Sequence, residues 1–197
     1  FPNLSAKTAD SAMHTIQVTY LFDPLCGWCY GVSPAMHALA AEPSMQLRLL
    51  PTGLFSHSGR LMDADFVVHA WQNDQRIAEL TGLPFSDAYR QNVLSADGQP
   101  FDSAAMTEAL TAVFLTSPEQ ELTVLSALQA ARYQQGKNIT DVAALADMLQ
   151  QQGLHEAARA LGSPAVRQAT AERMQQAQEL MRQFDVQGVP FCIARAV

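Results

Sequence analysis

The hydrophobic pattern at the start of this chain alternates between strand and helix. Residues 16–22 (IQVTYLF) are rich in β-branched and aromatic side chains, as is typical of a buried strand. Residues 29–41 then place Val32, Met36 and Leu39 on one helical face before Pro43 stops the helix. Residues 45–50 (MQLRLL) follow at the distance at which a helix joins two parallel strands. The pattern therefore predicts a βαβ unit.

From about residue 61 to about residue 184 the pattern is almost entirely helical. Ser117 and Ser163 each precede a proline, so both are predicted to cap a helix whose first residue is that proline. Asp141 begins a helical run that ends at Gly153. Strand character returns only at residues 189–193, after a predicted turn. The chain is therefore predicted to be an α/β protein with a large all-helical insertion between two pieces of sheet.

Composition and charge narrow the possible partners. The formal net charge of −7 and the pI of about 5.1 argue against nucleic acid and against an anionic membrane surface, which bind clustered Lys and Arg. No apolar stretch is long enough to cross a bilayer, and the first residues lack the features of a signal peptide. Residues 1–12 are interpreted as an N-terminal extension or a cloning remnant, because Met13 directly precedes the first strand.

Cys26 and Cys29 form a Cys-Gly-Trp-Cys motif between the first strand and the first helix. Backbone N–H groups and the helix dipole at a helix N-terminus stabilise a thiolate, so Cys26 is predicted to be the nucleophile at the exposed end. Cys29, one turn deeper, is predicted to resolve the mixed disulfide. Gly27 is expected to allow a tight turn, and Trp28 to offer an exposed apolar contact to the substrate.

Other interpretations of the three cysteines are less favoured. A structural zinc site needs a second pair of ligands, and neither Cys192 nor any of the dispersed histidines lies at ligand spacing, so no metal and no cofactor is expected. The pair could also be buried and inert, but its place after a strand and a proline argues against this. Cys192 is expected to be a small buried hydrophobe, with a third redox thiol as the alternative.

Pro190 is the second candidate feature of the site. If the Val189-Pro190 bond is cis, the backbone of Val189 would lie open beside the Cys26 sulfur, where an extended substrate chain can pair with it. Taken alone, a proline at the start of a strand more often marks an edge position.

The chain resembles the DsbA family of thioredoxin-fold proteins, and within it the FrnE-like branch. The resemblance is carried by residues 20–31 (YLFDPLCGWCYG), residues 74–89 (DQRIAELTGLPFSDAY) and residues 187–190 (QGVP). It implies a thioredoxin-like domain made of residues 13–61 and 178–197, and a helical insertion domain of residues 62–177 that covers one side of the active-site cleft. It also implies oxidase or disulfide-isomerase activity on protein thiols, with Val189-Pro190 as the cis-proline site.

Only seven residues follow Pro190, so the end of the sheet is expected to be incomplete or supplied by another molecule. Protein thiols and disulfides are the expected substrates, with glutathione as a further candidate, and the oligomeric state stays open. The cytoplasm is the favoured compartment and the periplasm the alternative. Rival functions are a glutathione-dependent isomerase or transferase on the kappa-like scaffold, a thiolate metal-handling module and a redox-regulated binding protein.

Overall fold

A three-stranded sheet in the order β2-β1-β3 organises the computed structural model, which describes residues 15–94 and 98–197. β1 (Ile16–Phe22) is parallel to β2 (Met45–Pro51) and antiparallel to β3 (Phe191–Ala196). The predicted βαβ unit is confirmed. The predicted extension of residues 1–12 lies outside the described part of the chain.

Helices make up most of the remaining described chain. In chain order they are α1 (Gly27–Gly31), α2 (Ser33–Ala41), α3 (Ala64–Thr81), α4 (Asp87–Tyr89), α5 (Ala104–Thr116), α6 (Glu121–Tyr133), α7 (Val142–Gln151), α8 (His155–Ala160) and α9 (Pro164–Gln183). A π-helical turn (Arg90–Leu94) follows α4, and a 3-10 turn (Pro118–Gln120) precedes α6.

The first predicted helix consists of two pieces. α1 begins at Gly27, earlier than predicted, and Val32 separates it from α2. Pro34 lies in the first turn of α2, where its missing N–H group costs no helical hydrogen bond. The short α1 is therefore a separate unit that carries the cysteine pair.

The predicted helix caps differ in outcome. The side chain of Ser163 accepts a hydrogen bond from the Val166 N–H group at 3.3 Å, and that of Asp141 accepts one from Ala144 at 3.1 Å. Ser117, in contrast, makes no capping bond, and a 3-10 turn replaces the predicted start of the helix. Ser117 lies at the end of α5, and its backbone does not have the conformation of a capping residue.

Both faces of the sheet are covered by apolar side chains. Tyr20 and Phe22 of β1 point into the larger core, which extends through the helical block. Leu21, Leu50 and Ile193 point to the opposite face, where they pack against Ala177 of α9. Because successive strand residues face opposite sides, β1 needs apolar side chains at almost every position, as its sequence shows.

The last strand begins two residues later than predicted and continues to Ala196. Val189-Pro190 is a cis peptide. Proline has no N–H group to contribute to a strand ladder, so hydrogen-bonded pairing with β1 starts at Phe191.

The division into two domains stays a prediction. Its second boundary, between residues 177 and 178, falls inside the continuous helix α9. α9 packs against β2, so this helix belongs to the layers around the sheet as well as to the predicted insertion.

A buried ion pair joins α9 to the rest of the molecule. Arg173 lies 2.5 Å from the Glu121 carboxylate, and both side chains are almost fully buried. The Arg173 guanidinium also donates to the Leu49 carbonyl of β2 at 3.0 Å and to the Thr111 hydroxyl of α5 at 3.2 Å. One cation thus bonds to α6, β2 and α5 from α9.

We expect Arg173→Met to lower the free energy of unfolding by about 3–5 kcal/mol, because a buried Glu121 loses its partner. Burial raises the pKa of Glu121 to about 7 even with Arg173 present. The loss should therefore be larger at about pH 8, where Glu121 must ionise, than at about pH 6. Chemical denaturation at both pH values measures it. Arg182→Met, at an exposed position of the same helix, is the control, and an equal loss in both variants would contradict the assignment.

Candidate active site

Cys26 is the N-cap residue of α1. Pro24 lies in the turn after β1, and this turn is closed by a hydrogen bond from the Cys26 N–H group to the Asp23 carbonyl at 3.0 Å. The Cys26 sulfur accepts a hydrogen bond from the Cys29 N–H group at 3.4 Å. The thiol therefore occupies the position that a Ser or Asp side chain takes at other helix starts.

The two thiols differ in acidity. The pKa of Cys26 is lowered from its ordinary value, chiefly because the Cys29 thiol donates to its sulfur and also because the N–H groups of Cys29 and Trp28 do so; burial opposes this effect. The pKa of Cys29 is raised well above its ordinary value, first by burial and then by the bond it donates to Cys26. Both directions agree with the helix-terminus argument made from the sequence.

Both cysteines are more enclosed than the sequence suggested. Cys26 is only 7% exposed, whereas the prediction placed it at an exposed end, and Cys29 is 1% exposed. Tyr20 of β1 donates a hydrogen bond to the Cys29 carbonyl at 3.4 Å. Burial raises the pKa of Tyr20, so its hydroxyl stays a neutral donor beneath the pair.

Gly27 is required for close packing and not for the tight turn that was predicted. A Cβ at this position would lie 2.8 Å from Asp74 Oδ1 and 3.0 Å from Ile77 Cδ1, both on α3. Trp28 is also bound to α3, because its indole N–H donates to Asn73 Oδ1 at 3.2 Å. It is half-buried, and so less free for substrate contact than predicted.

Val189, just before β3, contacts Cys26 of the cysteine pair. The Cys26 sulfur lies 3.7 Å from the Val189 carbonyl oxygen, and the thiol donates to it. Residues 163 positions apart in the chain are thus in contact, with Pro190 directly next to them. The structure brings together all six residues singled out in the sequence: Cys26, Gly27, Trp28, Cys29, Val189 and Pro190.

A cavity of about 260 Å³ opens beside Cys26. Its wall is mostly apolar and aromatic, with a small set of polar side chains from α3 and the loop before it. The active-site turn is held to this wall by Tyr133, whose hydroxyl donates to the Leu25 carbonyl at 2.8 Å. Among the lining residues are Cys26, Trp28, Arg60, His69, Asp74 and Tyr89.

Two buried carboxyl groups near the pair were not singled out from the sequence. Asp23 is fully buried and accepts hydrogen bonds from Leu25 N at 2.9 Å, Phe55 N at 3.0 Å and Ser103 Oγ at 2.8 Å. Burial raises its pKa although all three bonds lower it. A polar residue at the end of a buried strand was the available signal.

The second carboxyl group, Asp74, begins the family-like segment 74–89 and bonds to the residue at its end. Its Oδ2 accepts a hydrogen bond from the Tyr89 hydroxyl at 2.8 Å. The family resemblance placed the insertion that contains this segment at the cleft, but nothing in the sequence paired these two side chains.

Cys192 corrects a prediction. It is exposed on β3 and not buried as expected, because β3 is an edge strand in which only Ile193 is buried. Although the residue is exposed, part of its side chain is covered, since its sulfur lies 4.0 Å from the Met36 sulfur; this local burial raises the thiol pKa. A raised pKa makes it a weaker nucleophile than Cys26.

Among residues 15–94 and 98–197, no group of three or more His, Cys, Asp or Glu side chains is arranged to hold a metal ion. In the same ranges, no helix has the length and apolar character needed to span a bilayer.

Comparison with known protein families identifies the family to which this chain belongs. The model of the DSBA-like thioredoxin domain family matches residues 17–196. The chain belongs to this family. A search of curated proteins gives no match to the DSBA-like chain.

Solved structures similar to this chain agree with the family assignment. The chain is similar to the cytosolic disulfide reductase DsbM from Pseudomonas aeruginosa, with a TM-score of 0.78, 27% identity and coverage of 92% of this chain and 88% of that one. A structure of DsbM from Pseudomonas aeruginosa with GSH has a TM-score of 0.77 and 28% identity, and the match covers 92% of this chain and 89% of that one. A protein from Nitrosomonas europaea has a TM-score of 0.78, and the match covers 93% of this chain and 86% of that one. Because its sequence identity is only 21%, this similarity shows the fold alone.

These findings confirm the predicted thioredoxin-like fold with its helical insertion. They also make thiol–disulfide oxidoreduction the class of activity of this DSBA-like chain. Assignment to the FrnE-like branch is consistent with them and stays a prediction.

We expect Gly27→Ala to lower the free energy of unfolding by about 1–3 kcal/mol, because the added methyl group overlaps Asp74 and Ile77. Gly188→Ala is the matched control, since a Cβ there meets no atom within 4 Å, and its effect should stay within about 0.5 kcal/mol. Thermal or chemical unfolding checks both. A Gly27 variant as stable as the parent would contradict the close-packing role.

Proposed function

We propose that this DSBA-like chain exchanges disulfides with protein thiols, with Cys26 as the nucleophile and Cys29 as the resolving thiol. The observation that carries the proposal is the asymmetry of the pair. The thiol with the lowered pKa borders a cavity, and the thiol with the raised pKa lies behind it. At neutral pH the first sulfur is the more ionised of the two and so attacks first.

The substrate surface is proposed to be Gly27, Trp28, Val189 and Pro190. The backbone of Val189 lies against the Cys26 sulfur, so an extended chain that pairs with it would bring its own sulfur to Cys26. Trp28 offers the partly exposed side of its ring on the α3 side of the pair. Together these residues border the sulfur on two sides.

We infer that the direction of exchange is reductive or isomerising. The groups that lower the Cys26 pKa are uncharged hydrogen-bond donors, and both burial and the nearby Asp23 carboxylate oppose them. A weakly stabilised thiolate makes the reduced form less favoured and the protein less oxidising. The similarity to a disulfide reductase of 27% identity supports the same direction.

Glutathione is the small thiol that we propose as electron donor. The related DsbM has been solved with GSH, and the present chain has a cavity of about 260 Å³ with Arg60 and His69 among its lining residues. A cationic side chain there suits the carboxylates of a small peptide. The cytoplasm, where glutathione keeps thiols reduced, is the compartment that fits this proposal.

Cys26→Ser should abolish the reduction of insulin disulfides, because no other described thiol has a lowered pKa beside the cavity. In Cys29→Ser, Cys26 should still attack the substrate disulfide, and mixed disulfides should accumulate, visible on non-reducing gels and by mass. Cys192→Ser is the matched control and should keep the parent rate, since its thiol has a raised pKa. Undiminished activity in the Cys26 variant would remove the nucleophile assignment.

The reduction potential should lie below about −120 mV, the value of DsbA, because uncharged donors stabilise the Cys26 thiolate less than a cation does. Equilibration with glutathione buffers of graded ratio, followed by alkylation and mass analysis, measures it. A potential at or above that of DsbA would contradict the reductive direction.

A further inference from the structure

Asp74 occupies an unusual position for a carboxyl group. It lies on α3, is only 4% exposed and borders the same cavity as Cys26. Its Oδ1 comes within 2.8 Å of the point where a Cβ on Gly27 would lie, so it reaches the residue directly after Cys26. The absence of a side chain at Gly27 is what allows this approach.

The bonding of Asp74 differs from that of Asp23. Asp23 accepts three hydrogen bonds and ties two loops together. Among the described residues one donor, the Tyr89 hydroxyl, reaches Asp74, and it bonds to Oδ2. Oδ1 is directed towards Gly27, at the edge of the cavity. Hydrogen bonds within the fold explain why Asp23 is buried. They do not explain the position of Asp74 Oδ1, because the one donor that reaches Asp74 among the described residues bonds to Oδ2.

The surroundings of Asp74 bring its pKa close to neutral pH. Burial raises the pKa of Asp74 to about 7, while the Tyr89 hydrogen bond and the Arg132 cation act in the opposite direction. Both protonation states are therefore populated near neutral pH. The titratable groups around it and along the shared cavity are Tyr89 from α4, Arg132 and Tyr133 from α6, Cys26 at α1, Arg60 before α3 and His69 on α3.

Resting on the function proposed above, we propose that Asp74 is the proton donor and acceptor of the exchange reaction in this cavity. The Cys26 thiolate attacks one sulfur of the substrate disulfide. A bond forms between Cys26 Sγ and that sulfur while the substrate S–S bond breaks, and its electron pair leaves on the second sulfur. That sulfur takes the proton of the neutral Asp74 carboxyl group and departs as a thiol.

In the oxidising direction, which starts from the Cys26–Cys29 disulfide, the Asp74 carboxylate accepts the proton of an incoming substrate thiol. The resulting thiolate forms a bond to Cys26 Sγ while the bond between Cys26 and Cys29 breaks, and the electron pair of that bond leaves on Cys29 as a thiolate. Asp74 thus supplies the proton in one direction and removes it in the other. The role matters because a cavity with apolar walls stabilises a departing thiolate poorly.

The test is the pH profile of single-turnover reduction of bis(2-hydroxyethyl) disulfide by the pre-reduced protein, with the ionisation of Cys26 measured in parallel by thiolate absorbance. For the parent protein, the rate per Cys26 thiolate should fall as pH rises through about 7, where Asp74 loses its proton. In Asp74→Asn this fall should disappear. At about pH 6 the variant should be roughly 10²-fold slower, the lower end of general acid catalysis.

Two further variants separate chemistry from structure. Asp65→Asn changes an exposed carboxyl group on the same helix and should keep the parent profile. Tyr89→Phe removes the hydrogen bond that lowers the Asp74 pKa, so the fall should move to higher pH. A residue that only supports the fold would not shift the profile in this way. The Tyr89 variant also keeps the test decisive if Asp74→Asn folds poorly.

The possible failures are distinguishable. A parent protein that does not reduce the disulfide, or a Cys26→Ser variant that matches it, would overturn the proposed function. An active parent whose Asp74→Asn variant keeps the same rate per thiolate at every pH would overturn the role of Asp74 alone. An unchanged profile in Tyr89→Phe would do the same.

Discussion

The hydrogen bond between the Cys29 N–H group and the Cys26 sulfur is the interaction on which the site depends. It makes one thiol the cap of a short helix and places the other one turn behind it. The Cys26 sulfur accepts hydrogen bonds from neutral donors, chiefly the Cys29 thiol and then backbone N–H groups, so its pKa is lowered without a cation. The same geometry buries Cys29 and raises its pKa. A single turn of helix thereby gives two identical side chains different chemistry.

The helical block turns this reactive turn into a cavity. α3 approaches α1 so closely that a Cβ at position 27 would lie 2.8 Å from Asp74 Oδ1 and 3.0 Å from Ile77 Cδ1. Trp28 bonds to Asn73 on α3, and Tyr133 of α6 bonds to the Leu25 carbonyl. The insertion therefore contacts the active-site turn directly. Apart from the active-site turn itself, Phe55 and Arg60, the residues that line the space beside Cys26 belong to the insertion.

Buried charge is distributed unevenly around this space. Arg173 and Glu121 form an ion pair that joins α9 to β2, α5 and α6. Asp23 accepts hydrogen bonds from three donors beside the active-site turn. Asp74 accepts one from the Tyr89 hydroxyl, feels the charge of Arg132 and borders the cavity. Of these buried carboxyl groups, Asp74 is the one placed for proton exchange with a substrate.

Local sequence determined the βαβ start, the helical character of most of residues 61–94 and 98–184, and the placement of Cys26 at a helix start, because strand period, helix period and caps are properties of neighbouring residues. The contact of Cys26 with Val189 was expected on the condition that the Val189-Pro190 bond is cis, as it is. The packing of Gly27 against α3 and the pairing of Asp74 with Tyr89 were decided only by the tertiary structure. So was the exposure of Cys192, which depends on β3 lying at the sheet's edge. These features join residues distant in the chain, and no local pattern encodes such distances.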